Sequence, residues 1–450
     1  MPRQSHGRLW LLVVLVLLLV VVGPISYLGW RQSAAGVRVT SAPPKLIGHK
    51  TATKLMVEAA RGNVSAVEVF LVQGDKRATA AKVEGTLGSR AEVPLTLETS
   101  ALGLREGSAT LEVHARDDYW RPLNFSSGPA LSAPVTIDLT PPKLEILSAT
   151  QYLANGGVGL VVFRLEGAPR AQVAVGATTF PSFPYGPPER GARVSLIALP
   201  YDLAPGTPLA IRAEDEAGNV TTRGIPAEIK PRKFPTDRIE VRDSFLQAKV
   251  PELLPQRSPS QPLIEGFLVI NRDQRKQAEQ EKRRIGAQTA DTPLWEGPFV
   301  QPRNTKVFAN FAEARTYFYE GREIDTQVHF GFDLASTKQS PVPAANRGVV
   351  VFAGPLTIYG NTVVVDHGLG LQTLYAHMSI IDVKPGDRVE KGQPLGRSGT
   401  TGLALGDHIH YETLIGGISV TPVEWWDAKW IREKVNLPLR SAGLPEIAGF

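Results

Sequence analysis

The sequence predicts a mainly β protein: an N-terminal transmembrane helix, two β-sandwich modules and a C-terminal β domain. Three observations carry that expectation. Short stretches that alternate apolar with polar residues recur from position 37 onward, as half-buried strands require. The 450 residues include 42 Gly and 36 Pro, a composition of many turns and few long helices. The pair Pro141-Pro142 separates two such alternating regions, because proline cannot donate to a ladder.

The N-terminal element comes first. Residues 10–30 carry no charged side chain until Arg31, and Leu and Val dominate the first two thirds. At roughly 1.5 Å per residue a helix of this length crosses a ~30 Å hydrocarbon core. Arg3 and Arg8 precede the stretch, which keeps the N-terminus cytoplasmic and sends the rest outside. Trp10, Tyr27 and Trp30 are spaced like interfacial aromatics, while Gly23-Pro24 interrupts the run. A cleaved signal peptide is the alternative, with residues 9–22 as its apolar region and Ser33-Ala34-Ala35 as small residues. Either way the bulk is exported.

Segment 1–36 is thus a cytoplasmic tip with a membrane signal-anchor. Residues 37–139 and 140–232 read as two sandwich modules, with strands at 66–72 and 109–114 in the first. The Thr140-Pro-Pro142 joint and the run Ala213-Glu-Asp-Glu-Ala-Gly-Asn219 resemble bacterial immunoglobulin-like domains. Residues 233–299 read as a connector, Pro-rich through Pro251, Pro255, Pro259 and Pro262, then a solvated helix at 272–284 that spaces head from stalk. Next to the last domain, the Pro-rich connector is also a candidate inhibitory element. Residues 300–430 form the last domain and 431–450 a C-terminal tail. Asn63, Asn124 and Asn219 each open an N-x-Ser/Thr triplet, which occurs often by chance.

Composition excludes several chemistries. A net charge of +5 is small for this length, and no Lys/Arg block interleaves with aromatics, so no nucleic-acid surface is expected. A mildly basic face suits an anionic polymer or lipid surface. The absence of cysteine excludes disulfides, thiol nucleophiles and Cys-ligated zinc. A metal site here must be built from His, Asp and Glu.

Five of the eight histidines lie between 329 and 410: His329, His367, His377, His408 and His410. His329 and Asp333 are four apart, and on an extended strand they share a face. His408 and His410 are two apart, so on a strand both rings project from one side. One of that pair can ligate while the other faces substrate. With His329 and Asp333 this makes three ligands and an open position, the count of a catalytic zinc site. No His-Glu-x-x-His helix is present, so another group must handle protons. His367, between Asp366 and Gly368, reads as structural, and Tyr375 and Tyr411 as packed aromatics.

Taken together, His329-Phe-Gly-Phe-Asp333, Tyr375-Ala-His377 and Gly406-Asp-His-Ile-His410 resemble the lysostaphin/LytM-type zinc metallopeptidase family. Tyr359-Gly-Asn361, Asp366-His-Gly368, Lys384-Pro-Gly-Asp387, Lys391-Gly-Gln393 and Gly399-Thr-Thr-Gly402 fit as well, and the likeness spans residues 300–427. It implies an open antiparallel sheet with a groove, the duplicated hybrid motif fold. It implies Zn2+ held by His329, Asp333 and His410, with His377 and His408 as the catalytic histidines. The implied activity is hydrolysis of peptidoglycan stem peptides or cross-bridges by an enzyme of the bacterial inner membrane, single-pass, with its bulk periplasmic. The alternative is a catalytically silent LytM-like regulator that activates another cell-wall hydrolase; such relatives lose ligand positions, and none is missing here. The β modules are candidate contacts for cell-wall or division proteins. Strands are expected at 348–352, 361–365, 372–376 and 408–414, and groove walls at 357–359 and 398–405.

Overall fold

The computed structural model describes residues 6–123 and 128–450. Arg3 and the triplet at Asn124 lie outside the described residues. From His6 to Gln32 the chain is one helical run: His6–Leu17, a π-helical turn Leu18–Val22, then Gly23–Gln32. Trp10–Gln32 is long and apolar enough to cross a membrane. Pro24 does not break it, because proline is tolerated in the first turn of the segment that follows the π-helical turn.

Contacts divide the chain into two compact units, one up to Pro142 together with Glu214–Val220, the other Lys143–Ala213 with Thr221–Phe450. The first unit holds a two-layer sandwich. One sheet orders Val37–Val39, Lys50–Ala59 and Arg90–Glu98, and the other runs Leu46–Ile47, Leu131–Ile137, Gly107–Asp117, Val64–Gln73 and Lys76–Glu84. Alternate residues of both sheets, among them Leu55, Val57, Val67, Val69, Leu95, Leu111 and Val135, close on one core.

The second unit begins with strands Lys143–Ala149, Val158–Glu166, Ala192–Ala198 and Phe183–Pro184 in one sheet, packed over Val173 and Val175 of Arg170–Val175. That core continues without interruption into the C-terminal sheet through Trp295, Phe299, Tyr375, Tyr411 and Trp425.

The C-terminal sheet has eight strands, in the order Lys306–Ala309, Phe332–Ala335, Ile409–Ile415, Leu371–Met378, Asn361–Asp366, Gly348–Pro355 and Arg388–Val389, with Ile418–Val420 beside Ile409–Ile415. Every residue of Leu371–Met378 and of Ile409–Ile415 is buried. Such strands are covered on both faces. Val363, Val365, Leu371, Tyr375, Tyr411 and Ile415 face the shared core. Val364, Leu374, Ala376 and Leu414 face the other way, onto Leu246, Val250, Phe267, Ile270, Ala278 and Ile285.

Those last six residues belong to the expected connector, whose solvated helix is therefore a correction. Helix Arg275–Gly286 buries Ala278, Lys282, Ile285 and Gly286. The Pro-rich half also carries structure: helices Asp243–Leu253 and Leu263–Val269, and a strand Thr236–Glu240 that pairs in parallel with Glu313–Tyr319. Glu313–Tyr319 in turn pairs with Arg322–His329, giving a second, three-stranded sheet. The segment expected as a tail is likewise packed, with Ile431, Val435, Leu439, Leu444 and Ile447 buried.

Candidate metal centre

Register brings the central residues together. Asp333 pairs with His410 across strands Phe332–Ala335 and Ile409–Ile415, so both side chains rise from one face at neighbouring positions. His329 ends strand Arg322–His329 opposite Glu313 and reaches the same point from the second sheet. Gly331 permits the approach, since a Cβ there would lie 2.5 Å from the Tyr411 carbonyl oxygen and 2.7 Å from His410 Nε2.

His329 Nε2, Asp333 Oδ1 and His410 Nδ1 form a triangle with edges of 2.9, 2.9 and 3.0 Å. Their outer atoms are committed elsewhere. His329 Nδ1 donates to the Asn310 carbonyl at 3.0 Å and His410 Nε2 to Glu412 Oε1 at 2.8 Å. Those bonds fix the tautomers, leaving a lone pair on each nitrogen that points into the triangle. Arg315 Nη2 donates to Asp333 Oδ2 at 3.1 Å, and its Nε to Glu313 Oε1 at 3.1 Å. Three electron-pair donors converging with no hydrogen among them fit a bound cation, and two imidazoles with one carboxylate suit zinc.

Electrostatics follow the same pattern. Burial alone would raise the Asp333 carboxyl, but the neighbouring imidazoles of His329, His408 and His410 hold it well below the ordinary range. Burial lowers His329, against the pull of Asp333. Burial also works against His410, yet the neighbouring carboxylates of Asp333 and Glu412 leave it raised.

His377 and His408 lie beside this triangle, their ring centroids 4.9 Å apart and that of His377 5.8 Å from His410. Strict alternation would turn His377 away from the face of Ala376, but its backbone adopts φ 63° and swings the ring into the cleft. A non-glycine residue in that region is strained. His377 Nδ1 donates to the Thr401 carbonyl at 2.9 Å and His408 Nδ1 to that of Gly406 at 2.7 Å. Each Nε2 is left as an acceptor, that of His408 at 3.5 Å from Asp333 Oδ1. Burial, then the charges of His408 and His410, holds His377 well below the ordinary imidazole range.

The triangle forms the floor of a cavity of about 420 Å³. Ile358, Tyr359, Leu403 and Leu405 line one part of it, within the two segments expected as groove walls. Ile239, Val241, Phe245, Phe267 and Arg275 line another and come from the connector, which motif reading had left out of the site. His367 stands apart. It is fully buried between the Arg347 carbonyl (2.8 Å) and Thr373 Oγ1 (2.8 Å), and burial brings it down to about 4. Tyr375 and Tyr411 are core residues that pack on each other.

Sequence reading missed Arg315, Glu412 and Lys282 as parts of the centre. Lys282 Nζ lies 2.8 Å from Glu412 Oε2, and with His410 it keeps Glu412 ionised against the cost of burial. Glu412 had a legible signal, because it follows His410 by two residues and shares its face. Lys282 and Arg315 had none, since each reaches the site from another part of the chain.

The fold and this floor define a class: a β-sheet domain with a His-Asp-His cation-type centre open to a cleft. Residues 327–422 match the profile of Peptidase family M23, and the C-terminal part of the chain is a LytM-type domain of that family. The chain is 41% identical over 97 residues to the DD-carboxypeptidase/endopeptidase Mpg of Neisseria meningitidis serogroup B, covering 22% of each protein. It is 38% identical over 114 residues to the peptidoglycan DD-endopeptidase ShyA of Vibrio cholerae, covering 25% of this chain and 24% of ShyA. The matched stretch thus spans about a quarter or less of these relatives. Among solved structures, a putative peptidase M23 from Pseudomonas aeruginosa aligns at a TM-score of 0.39 and 22% identity, over 61% of this chain and 95% of that one.

Proposed function

We propose that the protein is a membrane-anchored zinc metalloendopeptidase that hydrolyses peptide bonds of peptidoglycan, in stem peptides or cross-bridges. The observation that carries this reading is the converging lone-pair triangle at the floor of an open cleft, with two further histidines whose Nε2 atoms are acceptors. His329, Asp333 and His410 hold the ion, which when bound supplies Lewis-acid polarisation of the scissile carbonyl and of water. His377 and His408 are the catalytic histidines. Their Nε2 atoms take the proton of the attacking water and return it to the leaving amide nitrogen. The bonds to the Thr401 and Gly406 carbonyls keep both rings aimed at the cleft. The names of the relatives, which include two peptidoglycan or DD-endopeptidases, support the substrate class.

The helix Trp10–Gln32 anchors the chain in the bacterial inner membrane, with the bulk periplasmic. The two sandwiches, read as immunoglobulin-like modules, present the domain to the wall and to cell-wall or division proteins.

The test measures zinc content and muropeptide release together, on the detergent-solubilised chain and on His329→Ala. About one zinc per chain, with release that the variant loses, supports the reading. Bound zinc with no release from any wall preparation overturns it in favour of a silent regulator of another hydrolase.

A further inference from the structure

Lys282 is fully buried, a place where an ammonium persists only when paired. Its Nζ donates to Glu412 Oε2 at 2.8 Å, Ser419 Oγ at 3.0 Å and Tyr359 Oη at 3.1 Å, and pairs with Glu279 Oε1 at 2.8 Å. Glu412 is held on its other side as well. Oε1 accepts from His410 Nε2 at 2.8 Å and from Tyr359 Oη at 2.6 Å, while Ser419 Oγ donates to Oε2 at 2.6 Å. An unbroken chain of contacts therefore runs from the Lys282 ammonium through one carboxylate to the ring whose Nδ1 faces Asp333 and His329.

The backbone that carries Lys282 is pinned with equal care. Helix Arg275–Gly286 meets the turn at Gly416 and Gly417 so closely that a Cβ on Gly286 would lie 2.3 Å from Gly417 N. A Cβ on Gly417 would lie 2.4 Å from the carbonyl oxygen of Lys282 itself. The helix can reach this depth only with glycine on both sides.

We propose that Lys282, on a helix that precedes the matched stretch 327–422, is a positioning residue of the metal centre. By fixing the Glu412 carboxylate in one orientation it keeps the His410 proton on Nε2 and the lone pair on Nδ1. Without the ammonium, the Glu412 carboxylate loses the donor that fixes its orientation, and the His410 tautomer is no longer dictated by a fixed acceptor. The catalytic unit is then larger than the matched stretch, because a helix from the supposed connector completes it. This role rests on the metal-binding half of the proposed function and is independent of which bond is cut.

The experiment uses the full chain in detergent. Zinc affinity is read by competition with a chromophoric chelator, and ligand geometry by the visible spectrum of the Co2+-substituted protein. The variants are Lys282→Met, Glu412→Gln, the two combined, and Glu279→Gln. Glu412→Gln and Lys282→Met should each weaken zinc by about 10- to 100-fold and alter the Co2+ spectrum. The double variant should match Glu412→Gln rather than multiply the two losses, since Lys282 acts through Glu412. Glu279→Gln, which leaves the Lys282–Glu412 bond in place, should keep its affinity.

A folded Lys282→Met chain with unchanged zinc affinity overturns the proposal. So does a double variant that falls well below Glu412→Gln. If Lys282→Met alone fails to fold, the double variant, which has lost both charges, decides by the same comparison. A wild-type chain that holds zinc and follows this pattern but releases no muropeptides overturns only the proposed reaction.

Discussion

Asp333 divides its two oxygens between different tasks: Oδ2 accepts from Arg315 Nη2 at 3.1 Å, while Oδ1 lies 2.9 Å from His329 Nε2 and 3.0 Å from His410 Nδ1. Arg315 therefore sets which oxygen enters the centre, and its second bond, to Glu313, prevents it from turning away. Arg315→Met should weaken zinc by about 10- to 100-fold with little change in secondary structure, the range for an outer partner of a ligand. Chelator competition checks this, and an unaltered affinity would remove Arg315 from the centre.

His377 offers the opposite signature. Its ring lies in the cleft but outside the triangle, so the variant should retain zinc and lose turnover. His377→Asn is the suitable change, because asparagine tolerates the φ of 63° at this position better than alanine. Zinc stoichiometry should stay unchanged while kcat falls by about 10²- to 10⁴-fold, the usual worth of a positioned acid–base group. Loss of metal together with activity would instead make the ring a ligand.

The triangle's members were readable from spacing only partly for the expected reason: the register Asp333–His410 sets two of them side by side, whereas His329 ends strand Arg322–His329 and reaches them from another sheet across the break at Phe330-Gly331, not from a shared strand face. The second layer was not, since Lys282 and Arg315 lie on the helix Arg275–Gly286 and the strand Glu313–Tyr319, with no motif linking them to the histidines. One clue was available. The run Val363-Val364-Val365 and the segment Leu371–Met378 put apolar residues on both faces, so the sheet needed a cover on each side. The neighbouring segment 233–299 was the candidate for one of them. Its dense charge between 272 and 284 read as a solvated helix because a buried Lys282 looks like any other lysine until its carboxylates are known.

That cover leads to a truncation experiment. A fragment starting at Val300 lacks Val250, Phe267, Ile270, Ala278 and Ile285, which shield Val364, Leu374, Ala376 and Leu414. It also lacks Lys282. An inhibitory connector would make such a fragment more active, whereas the packing predicts exposed apolar surface and weakened metal binding. Increased binding of an apolar dye and substoichiometric zinc are the expected results. A soluble, zinc-loaded fragment more active than the full chain would show that the connector only restrains the cleft, and one with unchanged activity would sink both readings.

The contact between strand Val158–Glu166 and helix Val423–Trp426 carries a pH dependence of its own. Glu424 is largely buried there and accepts from the Val158 N–H at 3.0 Å, with the Arg232 guanidinium at 4.0 Å. Burial raises its carboxyl to about 7, more than the Val158 bond and the Arg232 charge can offset. The folded state therefore binds this proton more tightly than the unfolded chain, in which the carboxyl titrates near its ordinary value of 4.5. Between those two values the native state holds more protons, so stability falls as pH rises. The contribution is complete below about pH 4.5 and is lost as pH passes through about 7. Glu424→Gln keeps an oxygen for Val158 and cannot ionise, so it should match the wild type near pH 5 and exceed it by roughly 2–3 kcal/mol above pH 8. Denaturant unfolding at the two pH values reads the difference directly. A variant less stable than the wild type at the higher pH would mean that Glu424 is ionised in the native contact and that its pairing with Arg232 outweighs its burial.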